Sequence, residues 1–366
     1  MARTTTQVYL DMNALTQPRV TGIGKYCIEL HHGLKSLIGI SKTVDLHPTI
    51  KFSRLKHIGR VHARIDETPT VFGISSLLHN EPQVYHGLDF RVPVSTKAKK
   101  VVTIHDLISF EQVFNEVNFV EEAKRNFEDM LFKCVPDHFI CISKATQEKF
   151  AFHYPELAKN STVVYLGCDH QVVLQEGENP GPAGVALPAR YILFLGTLEE
   201  RKNPAMVIKA FSKLASRFPD LHLVLAGSIG FKGKETLRDM GFSPYKDRIH
   251  HLSYVTDSLV DTLYRNAEAF VFPSLLEGFG LPILEAMKRG CPVVTSKGGA
   301  TEEVSGDAAT LVDPTNENEV TEAVFELLTK SDLRQDLISH GWNRSQKFTW
   351  QETAEQTLAV YQKLVK

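Results

Sequence analysis

Short apolar runs recur along the chain, separated by longer stretches of mixed polarity. Gln7 to Asn13, Gln83 to Gly87, Lys100 to Asp106, His138 to Ser143 and Thr162 to Gly167 form one series. Tyr191 to Gly196, Leu221 to Gly227, Ile249 to Val255, Ala269 to Pro273 and Gly290 to Thr295 form a second. Runs this short that barely alternate with polar residues predict strands covered on both faces, as in a parallel sheet. Between them, segments such as Lys25 to Leu37, Val120 to Cys134 and Pro204 to Phe218 read as helices. The alternation predicts an α/β chain with doubly wound parallel sheets.

The pattern lapses between residues 171 and 189, where Gln175-Glu-Gly-Glu-Asn-Pro-Gly-Pro-Ala-Gly184 is rich in turn formers. A linker here divides the chain into residues 1–180 and 181–345. A closing helix follows within 346–366, opened by the capping box Thr349-Trp-Gln-Glu352. Its apolar positions Ala354, Leu358, Tyr361 and Leu364 need a partner, in its own domain or back on the first.

The length of 366 residues suits two such domains. A formal net charge of −2 supplies no field for nucleic acid. Five cysteines, odd in number and without close pairing, read as free thiols of a reducing compartment. The N-terminus has no apolar leader and no window approaches a membrane span, so the expectation is a cytoplasmic protein. Charge is uneven, however, with ten Lys or Arg against three acids in residues 1–64. Lys51 to Arg64 interleaves basic and apolar residues and is read first as a solvated basic face interrupted at Gly59. The second reading is peripheral contact with the inner face of the plasma membrane, or guidance of an acidic acceptor.

Candidate chemistry centres on Glu277-Gly-Phe-Gly-Leu-Pro-Ile-Leu-Glu285, a glycine loop between a strand and a helix. Bare backbone at a helix mouth favours an anion, and phosphate is the first candidate. A carboxylate beside phosphate is costly unless it grips neutral donors, so Glu277 points to sugar hydroxyls. Glu285, two turns on, is placed to accept hydrogen bonds from a ribose diol. Alone, two Glu at this spacing are common by accident; the intervening Gly-Phe-Gly-Leu-Pro makes them informative.

Arg201 and Lys202, where a strand end meets a helix start, offer a forked donor and a point charge to a diphosphate. The loop after Val255 suits a flat base held by backbone groups. Gly22-Ile-Gly24 makes a second phosphate-compatible turn before a helix from Lys25, but Cys27 replaces the third glycine of a dinucleotide fingerprint. Strand ends also place His86, His105, Asp106 and Ser143 beyond the first sheet, where ligands bind such folds. His105 reads as a donor to a substrate oxygen, as a group sharing a proton in the reaction, or as a turn residue bonded to Asp106, and Ser143 as a helix cap.

In order, these segments resemble the retaining glycosyltransferases of family 4. The resemblance is carried by Arg19-Val-Thr-Gly-Ile-Gly-Lys-Tyr26, Thr103-Ile-His-Asp106, Gly196-Thr-Leu-Glu-Glu-Arg-Lys-Asn203, Leu225-Ala-Gly227, Val271 to Met287, Gly306-Asp-Ala-Ala309 and Phe348-Thr-Trp350. It implies the glycosyltransferase-B fold, two Rossmann-like domains facing across a cleft. It implies transfer of a hexose, glucose or mannose, from a UDP- or GDP-sugar to a saccharide or lipid-linked saccharide acceptor in polysaccharide synthesis. Carried over by position, Arg201 and Lys202 hold the diphosphate, Glu285 the ribose and the Val255 backbone the base. Glu277 with Gly278, Phe279, Gly280 and Leu281 holds the donor sugar and phosphate, while Gly24 closes over the diphosphate and His105 touches the sugar.

No Asp-x-Asp motif is present, and no metal or other cofactor is expected. Two departures stand out: Thr197 occupies the place of an arginine common in relatives, and Thr301-Glu-Glu303 replaces a Pro-Glu pair. A nucleotide-sugar epimerase or hydrolase of the same fold, and a non-catalytic nucleotide-sugar-binding scaffold, remain the alternatives.

Overall fold

The computed structural model describes residues 5–41, 44–72, 82–93, 96–110, 117–169, 187–253 and 255–366. The expected linker falls mostly outside these residues. The chain forms two compact units, Met1–Gly167 with Phe348–Lys366, and Cys168–Lys347. The first therefore ends at Gly167, before the anticipated residue 180, and it includes the closing helix.

Among the described residues the first unit carries seven parallel strands: β1 (Thr6–Asp11), β2 (Val44–Ile50), β3 (Thr70–Val71), β4 (Val84–Gly87), β5 (Lys99–Ile104), β6 (His138–Cys141) and β7 (Ser161–Val163). Their spatial order is β3-β2-β1-β4-β5-β6-β7. The order reverses direction between β1 and β4, so the chain leaves those neighbours towards opposite edges. Central β4 is buried throughout while edge strand β7 is only half-buried, as its exposure to a single neighbour requires. The core beside them is aromatic, with Phe139 and Phe150 ring centroids 4.7 Å apart.

The helix Gly22–Ser41 begins three residues earlier than expected, and Gly24 lies buried in its first turn instead of in a loop. Thr21 Oγ1 caps that turn by accepting from Gly24 N at 3.2 Å. Gly59 does not interrupt the helix Ile58–Ile65. Two arginines of the basic stretch are anchors: Arg60 Nη1 donates to Thr16 O at 2.6 Å, and Arg64 Nη1 donates to Leu15 O at 2.6 Å and Gln17 O at 2.9 Å. They hold the segment leading into the helix at Gly22.

The closing helix Trp350–Leu364 packs against Gly22–Ser41, where a Cβ on Gly33 would come 2.9 Å from Ala354 Cβ. Thr349 caps it, accepting from Glu352 N at 3.2 Å. A buried polar chain ties it to the sheet. Tyr361 Oη lies 2.5 Å from His86 Nδ1, His86 Nε2 lies 2.8 Å from Thr103 Oγ1, and Thr103 Oγ1 lies 2.9 Å from Tyr26 Oη. Every side chain in this chain has a partner, which is the condition for tolerating polar groups at that depth.

Among its described residues the second unit has six parallel strands: β8 (Tyr191–Leu195), β9 (His222–Ala226), β10 (Ile249–Leu252), β11 (Ala269–Phe272), β12 (Val293–Ser296) and β13 (Thr310–Val312), in the order β10-β9-β8-β11-β12-β13. Here the reversal lies between β8 and β11. The ends of β8 and β9 approach so closely that a Cβ on Gly227 would stand 2.0 Å from Gly196 O, and Gly227 has φ +146°. The Thr301-Glu-Glu303 departure lies in the helix Gly299–Ser305 and caps it: Glu302 Oε2 accepts from Gly298 N at 2.5 Å, and Arg344 binds the Glu303 and Val304 carbonyls.

Burial lowers the pKa of His86 from 6.5 to about 3. The unfolded chain takes up this proton near pH 6.5 and the folded one does not, so stability is full above pH 6.5 and falls as pH drops from 6.5 towards 3. Urea unfolding of the wild-type should lose on the order of 1 kcal/mol per pH unit in that window, and His86→Gln should flatten the slope. An unchanged slope in the variant would remove His86 from this account.

Candidate active site

Ligands of doubly wound sheets bind beyond the strand C-termini where the strand order reverses. In the second unit two segments meet there, Gly196–Asn203 after β8 and Pro273–Gly280 after β11. Their backbones are bonded: Leu275 N donates to Arg201 O at 2.7 Å, and Ser274 Oγ to the same carbonyl at 3.0 Å. Asn203 adopts the left-handed conformation (φ +57°), and its Nδ2 donates to Pro273 O at 3.2 Å and Pro314 O at 2.8 Å. An asparagine suits both demands, since it tolerates positive φ and carries a short donor.

This scaffold brings Arg201, Lys202 and Glu277 together with a fourth residue, Glu199. Arg201 Nη1 lies 3.1 Å from Glu277 Oε1 and donates to Leu276 O at 3.1 Å, while Nη2 lies 2.6 Å from Glu199 Oε1. Lys202 Nζ is 3.9 Å from Glu199 Oε1 and lies over Gly196, where a Cβ would come 3.1 Å from it. Ser274 Oγ sits 3.4 Å from Glu277 Oε1. The four charged side chains are each between 13% and 22% exposed, accessible to a ligand but partly shielded from solvent. Two cations and two carboxylates balance within the cluster, so an arriving anion must compete with resident ones.

Gly278, Phe279 and Gly280 are buried beside Glu277, and Gly280 (φ +103°) precedes the helix Leu281–Lys288. Pro282 near its start has no N–H to leave unsatisfied, and the helix mouth adds positive potential at the reversal point. Glu285 is buried on that helix, with Tyr264 Oη donating to Oε2 at 3.5 Å. Tyr264 thus meets Glu285, while Arg201 meets Glu277. Val255 is half-buried between β10 and the helix Asp257–Asn266, which Thr256 caps through Leu259 N.

In the first unit the reversal lies between β1 and β4. Asp11 ends β1 as a buried carboxylate: its Oδ1 accepts from Asn13 N at 2.8 Å, its Oδ2 from Tyr85 Oη at 3.3 Å, and burial raises its pKa. His105, just past β5, is 6% exposed, and its Nε2 donates to Leu88 O at 2.7 Å. Burial lowers its pKa, so it is neutral near pH 7. The carbonyl fixes the proton on Nε2, which leaves Nδ1 an acceptor; the expectation of a donor to substrate oxygen is thereby reversed. Asp106, the next residue, has its Oδ1 accepting from Ile108 N at 3.2 Å. Tyr26, two residues after Gly24, meets the His105 ring edge-on at 5.1 Å. Ser143 is a cap, accepting from Thr146 N at 3.0 Å.

Sequence reasoning gave no role to Glu199, Ser274, Asn203 or Asp11. Only Glu199 left a usable trace, its three-residue spacing from Lys202; Ser274 and Asn203 depend on partners far along the chain, as Asp11 does on Tyr85.

Known proteins resemble this chain in sequence and in fold. The family profile described as Glycosyl transferases group 1 matches residues 178–344. The O-antigen chain mannosyltransferase B of Escherichia coli is 27% identical over 382 residues, covering 94% of this chain and 97% of its own length. The D-inositol 3-phosphate glycosyltransferase of Paenarthrobacter aurescens is 32% identical over 329 residues, covering 87% and 78%. Among solved structures, Alr3699/HepE of Anabaena in complex with UDP and glucose has a TM-score of 0.71 at 16% identity, covering 98% of this chain and 100% of that one. That likeness shows the fold, two parallel-sheet α/β domains of the glycosyltransferase-B type. With a relative 32% identical over most of both lengths, the chain belongs to the glycosyl transferases of group 1.

Proposed function

We propose that this glycosyltransferase moves a hexose, mannose or glucose, from a GDP- or UDP-sugar to a saccharide or lipid-linked saccharide acceptor, with retention at the anomeric carbon and no metal ion. The observation that carries the reading is the Arg201–Lys202 cation pair beside Glu277 at the strand-order reversal. The O-antigen mannosyltransferase relative supports mannose.

In this reading Arg201 and Lys202 bind the diphosphate and take up the charge that develops on it, the work a divalent ion does elsewhere. The backbone of Gly278 to Leu281 holds the phosphate and sugar, Glu285 the ribose diol and the Val255 backbone the base. Gly24 and His105 serve from the first unit, His105 accepting from a sugar hydroxyl. The acceptor oxygen bonds to the anomeric carbon on the face the diphosphate leaves. The C–O bond to phosphate breaks with its electron pair, and the departing phosphate oxygen takes the acceptor proton. Glu277, held by Arg201, orients and stabilises the sugar without forming a bond to it.

The test is a thermal-shift and turnover series in EDTA with UDP, GDP, ADP and their glucose and mannose forms. The matching nucleotide at about 100 times its dissociation constant should add roughly 2.7 kcal/mol of stability, a rise of a few degrees. Lys202→Ala should lose that shift and at least tenfold in kcat/KM with its own melting point retained. Donor consumed without any acceptor would favour the hydrolase or epimerase alternative. No nucleotide response would favour the scaffold.

We also propose that the first unit meets an anionic membrane surface through Lys51, Phe52, Arg54, Leu55 and Lys56. Phe52 is 70% exposed and Leu55 42%, a basic and apolar combination that supports interfacial contact. Among the described residues no helix is long and apolar enough to cross a membrane. The protein should sediment with phosphatidylglycerol vesicles and be released by high salt or by Phe52→Glu. Equal recovery with neutral vesicles, or none with either, would dispose of the idea.

A further inference from the structure

One charged group in the cluster has no part in the reading above. Glu199 Oε1 lies 2.6 Å from Arg201 Nη2 and 3.9 Å from Lys202 Nζ, bridging the two cations assigned to the donor diphosphate. The other terminal nitrogen of Arg201, Nη1, is committed to Glu277 Oε1 and Leu276 O. A phosphate oxygen that is to engage the terminal guanidinium without unseating Glu277 must therefore approach on the Nη2 side, where the Glu199 carboxylate stands. The neighbouring Glu200 is differently placed, with Oε2 2.7 Å from Lys232 Nζ.

We infer that Glu199 is a built-in counter-anion of the donor site. In the empty protein it holds Arg201 and Lys202 in position and prevents the mutual repulsion of two adjacent cations. The diphosphate takes its place on Nη2 and on Lys202, so part of the binding energy is spent on displacing a resident carboxylate. Donor and nucleoside diphosphate product are both held more weakly in consequence, and the departing product is replaced by an anion already tethered beside the site. Selection follows as well, since a ligand with one phosphate competes less well against Glu199 than one with two. Glu199 acts here through Arg201 and Lys202 and is a positioning residue.

This inference rests on the donor-site reading, and titration calorimetry separates the two. The wild-type, Glu199→Gln, Glu199→Ala and Glu200→Gln proteins are titrated with the nucleoside diphosphate the wild-type binds, its monophosphate and its nucleoside. Glu199→Gln should bind the diphosphate three- to tenfold more tightly than wild-type, about 0.7–1.4 kcal/mol, with slower dissociation. The gain should shrink for the monophosphate and vanish for the nucleoside. Glu199→Ala should move in the same direction, and Glu200→Gln should stay within twofold of wild-type. A purely structural role for Glu199 gives the opposite sign, because freeing Arg201 would weaken binding. Unchanged or weaker diphosphate binding in both Glu199 variants, with wild-type binding intact, overturns the inference alone. A wild-type protein that binds none of these ligands overturns the donor-site reading and this inference with it.

Discussion

The second unit's site depends on one guanidinium held from both ends. The main chain of Arg201 is bonded by Leu275 and Ser274, and its side chain forks between Glu199 and Glu277. A planar donor group can serve two carboxylates at once, which an ammonium cannot do with comparable geometry. The fork makes the turn after β8 and the loop after β11 a single piece. Those strands are neighbours in space but separated in sequence by β9 and β10. The charge and the carboxylate that the proposal gives to phosphate and sugar are thus placed by the same side chain.

The first unit is organised around a different constraint, the satisfaction of polar groups buried deep in its core. Tyr361 reaches from the last helix to His86, which reaches Thr103, which reaches Tyr26. Without the returning helix His86 would lose its Nδ1 partner in an interior where an unsatisfied group costs about 1–3 kcal/mol. Tyr26 in turn packs edge-on against His105, so the last helix, the first helix and the strand-end histidine share one arrangement.

Much of this was legible in the sequence because much of it is local. Apolar runs announced ten of the thirteen strands described, missing β2, β3 and β13; the Thr349 cap and the Ser143 cap were readable within four residues, and Gly280 followed by Pro282 marked a helix mouth. What escaped depends on distant partners. The roles of Arg60 and Arg64 lie in carbonyls more than forty positions away, and the tautomer of His105 is set by Leu88. Asn203 reads as an ordinary residue before Pro204 until Pro273 and Pro314 arrive beside it. Gly24 was misplaced because a helix start with two glycines resembles a loop; the Thr21 cap decides otherwise. Glu199 went unassigned because nothing local shows that it faces Arg201.

The central claim is that Arg201 works partly through Glu277, and a double-mutant cycle on kcat at saturating donor tests it directly. Arg201→Ala, Glu277→Gln and the double variant are compared with wild-type. The account predicts that the double variant is far less impaired than the product of the single losses, with a coupling energy of at least about 1 kcal/mol. Losses that multiply to within about 0.3–0.5 kcal/mol would show two independent residues and contradict it.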